Sequence, residues 1–186
     1  MPRLFSAIKI PENISETLAT KQMGIANARY VNPNDFHITL GFFGDVSNEV
    51  AFEINQALSA TANQEPFNIK LTGFDIFGTK KPHSLIIKIK KTTPLLELRE
   101  LQNQKMQSLG IKSDAKKFSP HITLARLNKS KAKDIANYLT YNYFENSLEF
   151  KAKGFSLFSV RDSIGGGPYI EEQIYQFNPF ISHSSC

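Results

Sequence analysis

The tetrapeptide His37-Ile38-Thr39-Leu40 occurs a second time, unchanged, as His121-Ile122-Thr123-Leu124. We call these two tetrapeptides the first and the second motif. Each lies in a segment typical of a β-strand, and one falls in each half of the chain. Because residues i and i+2 of a strand point to the same face, each histidine shares a face with a threonine. The isoleucines and leucines are then directed to the opposite face, toward a core.

Two such strands facing each other across a pseudo-twofold cleft would present two imidazoles and two hydroxyls to one small anion. Hydroxyls donate hydrogen bonds to phosphate oxygens. Imidazoles titrate near neutrality, so one ring can be protonated while the other is neutral. These groups suit in-line attack at phosphorus, with a base on the incoming water and an acid on the leaving oxygen. A single histidine in a strand is more often structural, and it is the repeat that favours catalysis.

Outside the motifs, helical and strand-like segments are mixed along the chain. Strands are predicted over 4–10, 35–43, 67–77, 84–90, 118–127, 148–160 (interrupted at Gly154) and 168–177, and helices over 12–28, 47–62, 94–110 and 130–141. This mixture predicts an α+β fold with antiparallel sheets. No linker divides the chain, so we predict one domain over 1–177, followed by a flexible tail over 178–186.

Composition narrows the class of protein. The chain has 186 residues, of which 41% are hydrophobic and 21% charged, and this excludes wholesale disorder. Its one cysteine, Cys186, cannot form a disulfide framework or a structural zinc site. No stretch approaches the roughly 18 apolar residues that span a bilayer. We therefore expect a cytoplasmic monomer with no membrane association.

The chain resembles the two-histidine (2H) phosphoesterases, and among them the bacterial RNA 2′,3′-cyclic phosphodiesterases, also called 2′-5′ RNA ligases. Four segments carry the likeness: RLFSAIKIP at 3–11, FHITLGFFGDV at 36–46, FSPHITLARL at 118–127 and GGGPY at 165–169. The paired His-x-Thr-Leu motifs are specific to that superfamily, and the likeness extends over nearly the whole chain.

The resemblance implies a fold of two lobes, each with an antiparallel sheet and flanking helices, around a central cleft. It implies hydrolysis of the 2′,3′-cyclic phosphate ends of RNA to 2′-phosphates without a metal or nucleotide cofactor. Some members also join such an end to a 5′-hydroxyl without ATP. By position, His37 would be the general acid and His121 the general base, while Thr39 and Thr123 would hold the non-bridging oxygens. The two histidines titrate as a coupled pair, so their roles are less firmly fixed than their identity.

Three further residues near the motifs have open interpretations. Arg126 matches a family arginine, but strict alternation turns it away from His121 unless the strand ends or bulges there. Phe42 could stack on a base, although ordinary base rates favour the core. Asp35 could orient the imidazole of His37 or cap a turn, and the turn is slightly favoured.

Two rival functions remain open from the sequence. One is a binding module that holds a nucleotide or an RNA end without turning it over, and the other is a phosphodiesterase for a small cyclic-phosphate nucleotide. A metal held by Asp35 and the two histidines is conceivable, but no carboxylate cluster supports it.

The net charge of +5 is unevenly distributed. Between Lys105 and Lys133 there are eight basic residues and one acidic residue, whereas residues 30–50 hold three acidic residues and no lysine or arginine. We therefore predict that RNA approaches mainly from the side of the second motif, with Lys116 and Lys117 among its contacts.

Overall fold

A computed structural model describes residues 1–78, 80–111, 117–142, 144, 148–160 and 168–178. The strands in these ranges are β1 (Arg3–Lys9), β2 (Arg29–Tyr30), β3 (His37–Asp45), β4 (Phe67–Phe77), β5 (Ser84–Ile89), β6 (His121–Arg126), β7 (Glu149–Ala152), β8 (Gly154–Val160) and β9 (Tyr169–Gln176). The helices are α1 (Glu12–Ala19), α2 (Asn48–Ser59), α3 (Thr93–Ser108) and α4 (Ala132–Tyr141). The predicted tail beyond Asn178 lies outside the described residues, as does most of the glycine-rich GGGPY segment. Within the described ranges, no helix is both long and apolar enough to cross a membrane.

The strands form two antiparallel sheets, which confirms the predicted α+β class. The first sheet has the order β3-β1-β8-β9, and the second has the order β2-β6-β5-β4-β7. Strands β3 and β6, which carry the two motifs, contact each other where the sheets meet. The sheets are the cores of the two expected lobes.

The two motifs occupy equivalent positions in the two sheets. Strand β3 pairs with β1 so that His37 lies opposite Lys9, and β6 pairs with β5 so that His121 lies opposite Lys88. The matching registers give the pseudo-twofold arrangement that the repeat predicts.

The residues that alternate with each histidine and threonine are core residues. Ile38, Leu40, Ile122 and Leu124 are each at most 1% exposed. Burying one such side chain contributes about 1.5–3 kcal/mol to stability. This burial fixes which face of each strand is left for the cleft, because a slip of one residue would turn the histidines inward.

Helix α2 begins where the sequence predicts. The Ser47 hydroxyl accepts a hydrogen bond from the Val50 N–H at 3.4 Å, as expected of an N-cap. Ile54 and Leu58 of this helix are fully buried.

The helix predicted over 12–28 is shorter than its composition suggests, since α1 ends at Ala19. Gly24 has a φ of 87°, which no right-handed helix contains. In the segment after α1, the Gln22 Nε2 donates to the carbonyl oxygens of Val31 at 2.7 Å and Leu124 at 2.9 Å. This tertiary contact with β6 outweighs helix propensity in the segment after Ala19.

Candidate active site

A cavity of about 260 Å³ lies between the two sheets. Six of the residues that line it are those predicted from the sequence: His37, Thr39, Phe42, His121, Thr123 and Arg126. The other residues of its wall are Arg3, Phe5, Val31, Asp35, Val160 and Tyr169. The fold therefore brings together residues that are up to 166 positions apart in the sequence, from Arg3 to Tyr169.

Arg126 reaches this cavity because β6 is irregular. Thr123 lies opposite Ile86 and Ala125 lies opposite Leu85, which leaves Leu124 as an extra residue in β6. Such a bulge shifts the alternation by one, so Arg126 joins the threonine on the cleft face. The condition that the sequence set for Arg126 is thus met.

Strand β3 has a matching irregularity. Thr39 lies opposite Ala7 and Gly41 lies opposite Ser6, which leaves Leu40 as the extra residue. The side chain of Phe42 consequently turns to the cleft and is 49% exposed. The interpretation of Phe42 as a core residue is therefore wrong, because the bulge overrides strict alternation.

Both histidine rings are oriented by main-chain carbonyls two residues earlier. The Nδ1 of His37 lies 2.7 Å from the carbonyl oxygen of Asp35, and that of His121 lies 2.7 Å from the carbonyl oxygen of Ser119. A carbonyl oxygen can only accept, so each Nδ1 carries the hydrogen. In each ring, Nε2 is left as the nitrogen that can exchange a proton with a molecule in the cleft.

Asp35 thus orients His37, but through its main chain. The residue ends a single 3₁₀ turn, Pro33–Asp35, as the turn interpretation predicts. Its carboxylate accepts a hydrogen bond from the main-chain N–H of Tyr169, at the start of β9. Burial raises the pKa of this carboxyl above its ordinary value, while the Tyr169 bond and Lys9 oppose the shift.

Aromatic rings surround His37. Its ring centroid lies 5.1 Å from those of Phe5 and Tyr169 and 6.3 Å from that of Phe158. Burial lowers the pKa of His37 from 6.5 to about 4, because the charged ring would lose its hydration. The bond to the Asp35 carbonyl offsets part of this, and the neighbouring His121 and Arg126 lower the pKa slightly further.

His121 is less enclosed. Of the aromatic rings in the described ranges, that of Phe77 meets it edge-on, with 4.6 Å between centroids. Burial also lowers the pKa of His121 below 6.5, and its bond to the Ser119 carbonyl opposes the change. Burial therefore favours the neutral form of both imidazoles.

Arg126 is held by a neighbour that the sequence did not identify. Its Nη1 donates to the Ser84 hydroxyl at 2.9 Å, and Ser84 is fully buried. Ser84 lies directly opposite Arg126 in the β5–β6 pair. Tyr169 and Phe5 are likewise cleft residues that the sequence did not single out. Both lie in segments that carry the family likeness, but each reaches the site only through strand pairing.

A larger open groove, of about 920 Å³, adjoins the cavity and shares Arg3 and Val160 with it. Among the described residues that line the groove there is no histidine. Its arginine, Arg3, is paired with Asp45 at 2.9 Å. The described lining of the groove therefore has no pair of histidines like the one in the smaller cavity.

Among the described residues, no three histidine, cysteine or acidic side chains come close enough to bind a metal together. In the described ranges, Asp35 and the two histidines therefore do not form such a group.

The sequence model of the 2′-5′ RNA ligase superfamily, a protein family, matches residues 24–163 of the chain. The chain belongs to this superfamily. A member from Bacillus subtilis named RNA 2′,3′-cyclic phosphodiesterase is 31% identical, over 95% of this chain and 96% of its own length. One with the same name from Methanocaldococcus jannaschii is 31% identical, over 84% of this chain and 90% of its own. The resemblance inferred from the motifs is confirmed.

Solved structures of the superfamily fold also match. A Thermus thermophilus protein superposes with a TM-score of 0.78 at 24% identity, covering 94% of this chain and 97% of its own. Escherichia coli LigT complexed with 3′-AMP superposes with a TM-score of 0.73 at 21% identity, covering 95% of this chain and 99% of its own. These similarities support the two-lobed fold.

Proposed function

We propose that this member of the superfamily is an RNA 2′,3′-cyclic phosphodiesterase, which converts cyclic phosphate ends to 2′-phosphates. The observation that carries the proposal is that both His-x-Thr pairs and Arg126 line one cavity of about 260 Å³. A pure binding module would have no need of two imidazoles whose Nδ1 atoms are both tied to carbonyls. The names of the two relatives given above support the same activity.

In the proposed reaction, Nε2 of His121 removes a proton from water as the water oxygen attacks phosphorus. The bond from phosphorus to the 3′ oxygen breaks, and that oxygen takes a proton from Nε2 of His37. The two histidines end with their protonation states exchanged, and proton transfer through solvent restores them. The same sequence, with a 5′-hydroxyl in place of water as the attacking group, would form a 2′-5′ linkage.

The remaining cleft residues have complementary roles in this proposal. The hydroxyls of Thr39 and Thr123 donate to the non-bridging oxygens, and Arg126 balances the phosphate charge. Phe42 occupies in the first sheet the position that Arg126 occupies in the second. Its ring is half-exposed and offers a stacking surface to the terminal base.

The test is turnover of synthetic cyclic phosphates. The substrates are an oligonucleotide with a 2′,3′-cyclic phosphate end, a dinucleotide and a mononucleotide, and phosphorus NMR distinguishes 2′- from 3′-phosphate products. We expect 2′-phosphate with every substrate and the highest kcat/KM with the oligonucleotide. Tight binding of a 2′-phosphate without turnover would instead indicate a binding module, and preference for the mononucleotide would indicate a small-nucleotide enzyme.

The pH dependence of activity follows from the two lowered pKa values. The productive free enzyme has His37 protonated and His121 neutral, and this form is most abundant between their pKa values. Since the pKa of His37 is about 4 and that of His121 is below 6.5, we expect kcat/KM to peak below pH 6.5. Bound phosphate raises both pKa values, so kcat should peak at a higher pH. Rate profiles over a constant-ionic-strength buffer series measure both, and a kcat/KM optimum above pH 7 would contradict the assignment.

Neutralising the basic segment before the second motif tests the predicted RNA approach. Lys117 is exposed, and Lys116 lies outside the described residues. For Lys116→Ala/Lys117→Ala we expect a higher KM for the oligonucleotide and little change for the mononucleotide. The slope of log KM against log salt should fall by about 1.4, at about 0.7 per lost phosphate contact. Lys151→Ala/Lys153→Ala, an exposed pair at the far edge of the second sheet, is the matched control. Equal effects on both substrates would rule out this approach.

A further inference from the structure

The two motifs are identical in sequence, but their histidines have different surroundings. Among the described residues, the centroids of three aromatic rings lie within 6.3 Å of that of His37. The ring of His121 packs against one aromatic ring in this part of the chain, that of Phe77. The difference therefore comes from the strands around the motifs.

One source of the difference is the strand next to each motif. On β1, Phe5 lies opposite Phe42, and at the equivalent place on β5 Ser84 lies opposite Arg126. Phe5 also stacks on Phe158 of β8, with centroids 5.2 Å apart and planes at 16°. The first lobe thus places two rings, the buried Phe5 and the half-exposed Phe42, where the second lobe places a hydroxyl and a guanidinium.

Tyr169 completes the shell around His37. Its ring meets His37 at 89° and Phe5 at 76°, with 5.1 Å between centroids in each case. Its main-chain N–H is bonded to the Asp35 carboxylate, in the turn that leads into β3. Asp35 therefore orients the ring of His37 through its main-chain carbonyl. Through its carboxylate it also holds the main chain of Tyr169, whose ring packs against His37.

Few of the charges around His37 favour a charged ring. Among the described residues, five charged or titratable side chains face it besides Asp35 of the turn. From β1 they are Arg3, paired with Asp45 at 2.9 Å, and Lys9, paired with Glu171 at 3.7 Å; the others are His121 and Arg126 from β6 and Tyr169 from β9. The cations among them disfavour a second positive charge, and the carboxylates are engaged by Tyr169 and Lys9. A phosphate entering the cleft would reverse this balance, because its negative charge in a poorly hydrated site stabilises an imidazolium.

We propose that Phe5, Phe158 and Tyr169 exclude water from His37 more completely than it is excluded from His121, so that His37 is neutral in the free enzyme and takes up its proton together with the phosphate. The proton comes from solvent, one for each phosphate bound, and resides on Nε2. The three rings are positioning residues, and only the use of this proton in turnover rests on the proposed function.

The test is a histidine NMR titration of the full chain, with ring signals assigned by single His→Gln variants. In the free protein we expect His37 to titrate near pH 4 and His121 at a higher pH, still below 6.5. Saturating inorganic phosphate should bring His37 into its protonated form at neutral pH. Calorimetry in buffers of different ionisation enthalpy should then show net proton uptake on phosphate binding.

Tyr169→Ser opens the shell and should move the midpoint of His37 up by about one pH unit or more, with that of His121 nearly unchanged. Tyr141→Ser, at a tyrosine that is 83% exposed, is the matched control and should leave both midpoints in place. Phe158→Leu, which keeps an apolar side chain but removes a ring, is expected to give a smaller shift of His37 in the same direction.

The proposal is overturned if the two histidines titrate together in the free protein, if Tyr169→Ser leaves the His37 midpoint unchanged, or if phosphate binds without proton uptake. None of these readouts requires turnover. A protein that titrates as expected but cleaves no cyclic phosphate would refute the proposed function and leave this inference standing.

Discussion

Replacement of either His37 or His121 by alanine is expected to lower kcat about 10³-fold, within the 10²–10⁴-fold range typical of a general acid or base. Each ring is held by a main-chain carbonyl at 2.7 Å and lines the same cavity, and the described part of the chain offers no third histidine in that cavity. KM should change far less than kcat, because the imidazoles act mainly in the transition state. Steady-state rates on a cyclic-phosphate dinucleotide measure the effect.

The double variant and a histidine outside the two motifs serve as controls for this prediction. Because acid and base act as a unit, His37→Ala/His121→Ala should be only slightly slower than either single variant. His183→Ala, in the segment outside the described residues, should retain wild-type kcat. Near wild-type activity in either motif variant, with an unchanged unfolding midpoint, would refute the acid–base mechanism.

Replacement of Thr39 or Thr123 by valine is expected to lower kcat by about 10²-fold for each residue, as for the loss of one donor to a developing charge. Valine keeps the shape of threonine and removes only the hydroxyl, so the strand and its core face are preserved. The loss should fall mainly on kcat if the hydroxyls bind the non-bridging oxygens more tightly in the transition state.

Thr72→Val is the matched control for these variants, since Thr72 is an exposed threonine on β4 whose hydroxyl bonds to the Lys88 carbonyl at 3.2 Å. It should leave kcat unchanged. If Thr39→Val and Thr123→Val raised KM equally with no loss of kcat, the hydroxyls would serve ground-state binding only.

Much of this site could be predicted from the sequence, because its key residues lie in a local pattern with a period of two. His37 and Thr39 share a face, and Ile38 and Leu40 are buried, as that pattern requires. The positions of Phe42 and Arg126 could be predicted only conditionally, because one extra residue in a strand reverses every side chain after it.

The supporting residues could not be predicted, because they act over long sequence distances. Ser84 meets Arg126 across 42 residues, and Tyr169 reaches Asp35 from the last strand. The end of α1 has the same kind of cause, since Gln22 bonds to the carbonyl of Leu124, 102 residues away. Such contacts form only when the sheets are assembled, and no periodic pattern of residues in the sequence predicts them.

The bulges of β3 also affect how molecules of this protein behave toward one another. β3 is an edge strand of the first sheet, and edge strands with a regular ladder invite pairing with the same strand of a second copy. Its register against β1 shifts twice within nine residues, between Leu4 and Phe5 and again between Ser6 and Ala7. Bulges of this kind twist a strand and break the even spacing that a partner would need. The irregularity that turns Phe42 into the cleft therefore also makes the strand of the first motif a poor partner for edge-to-edge aggregation.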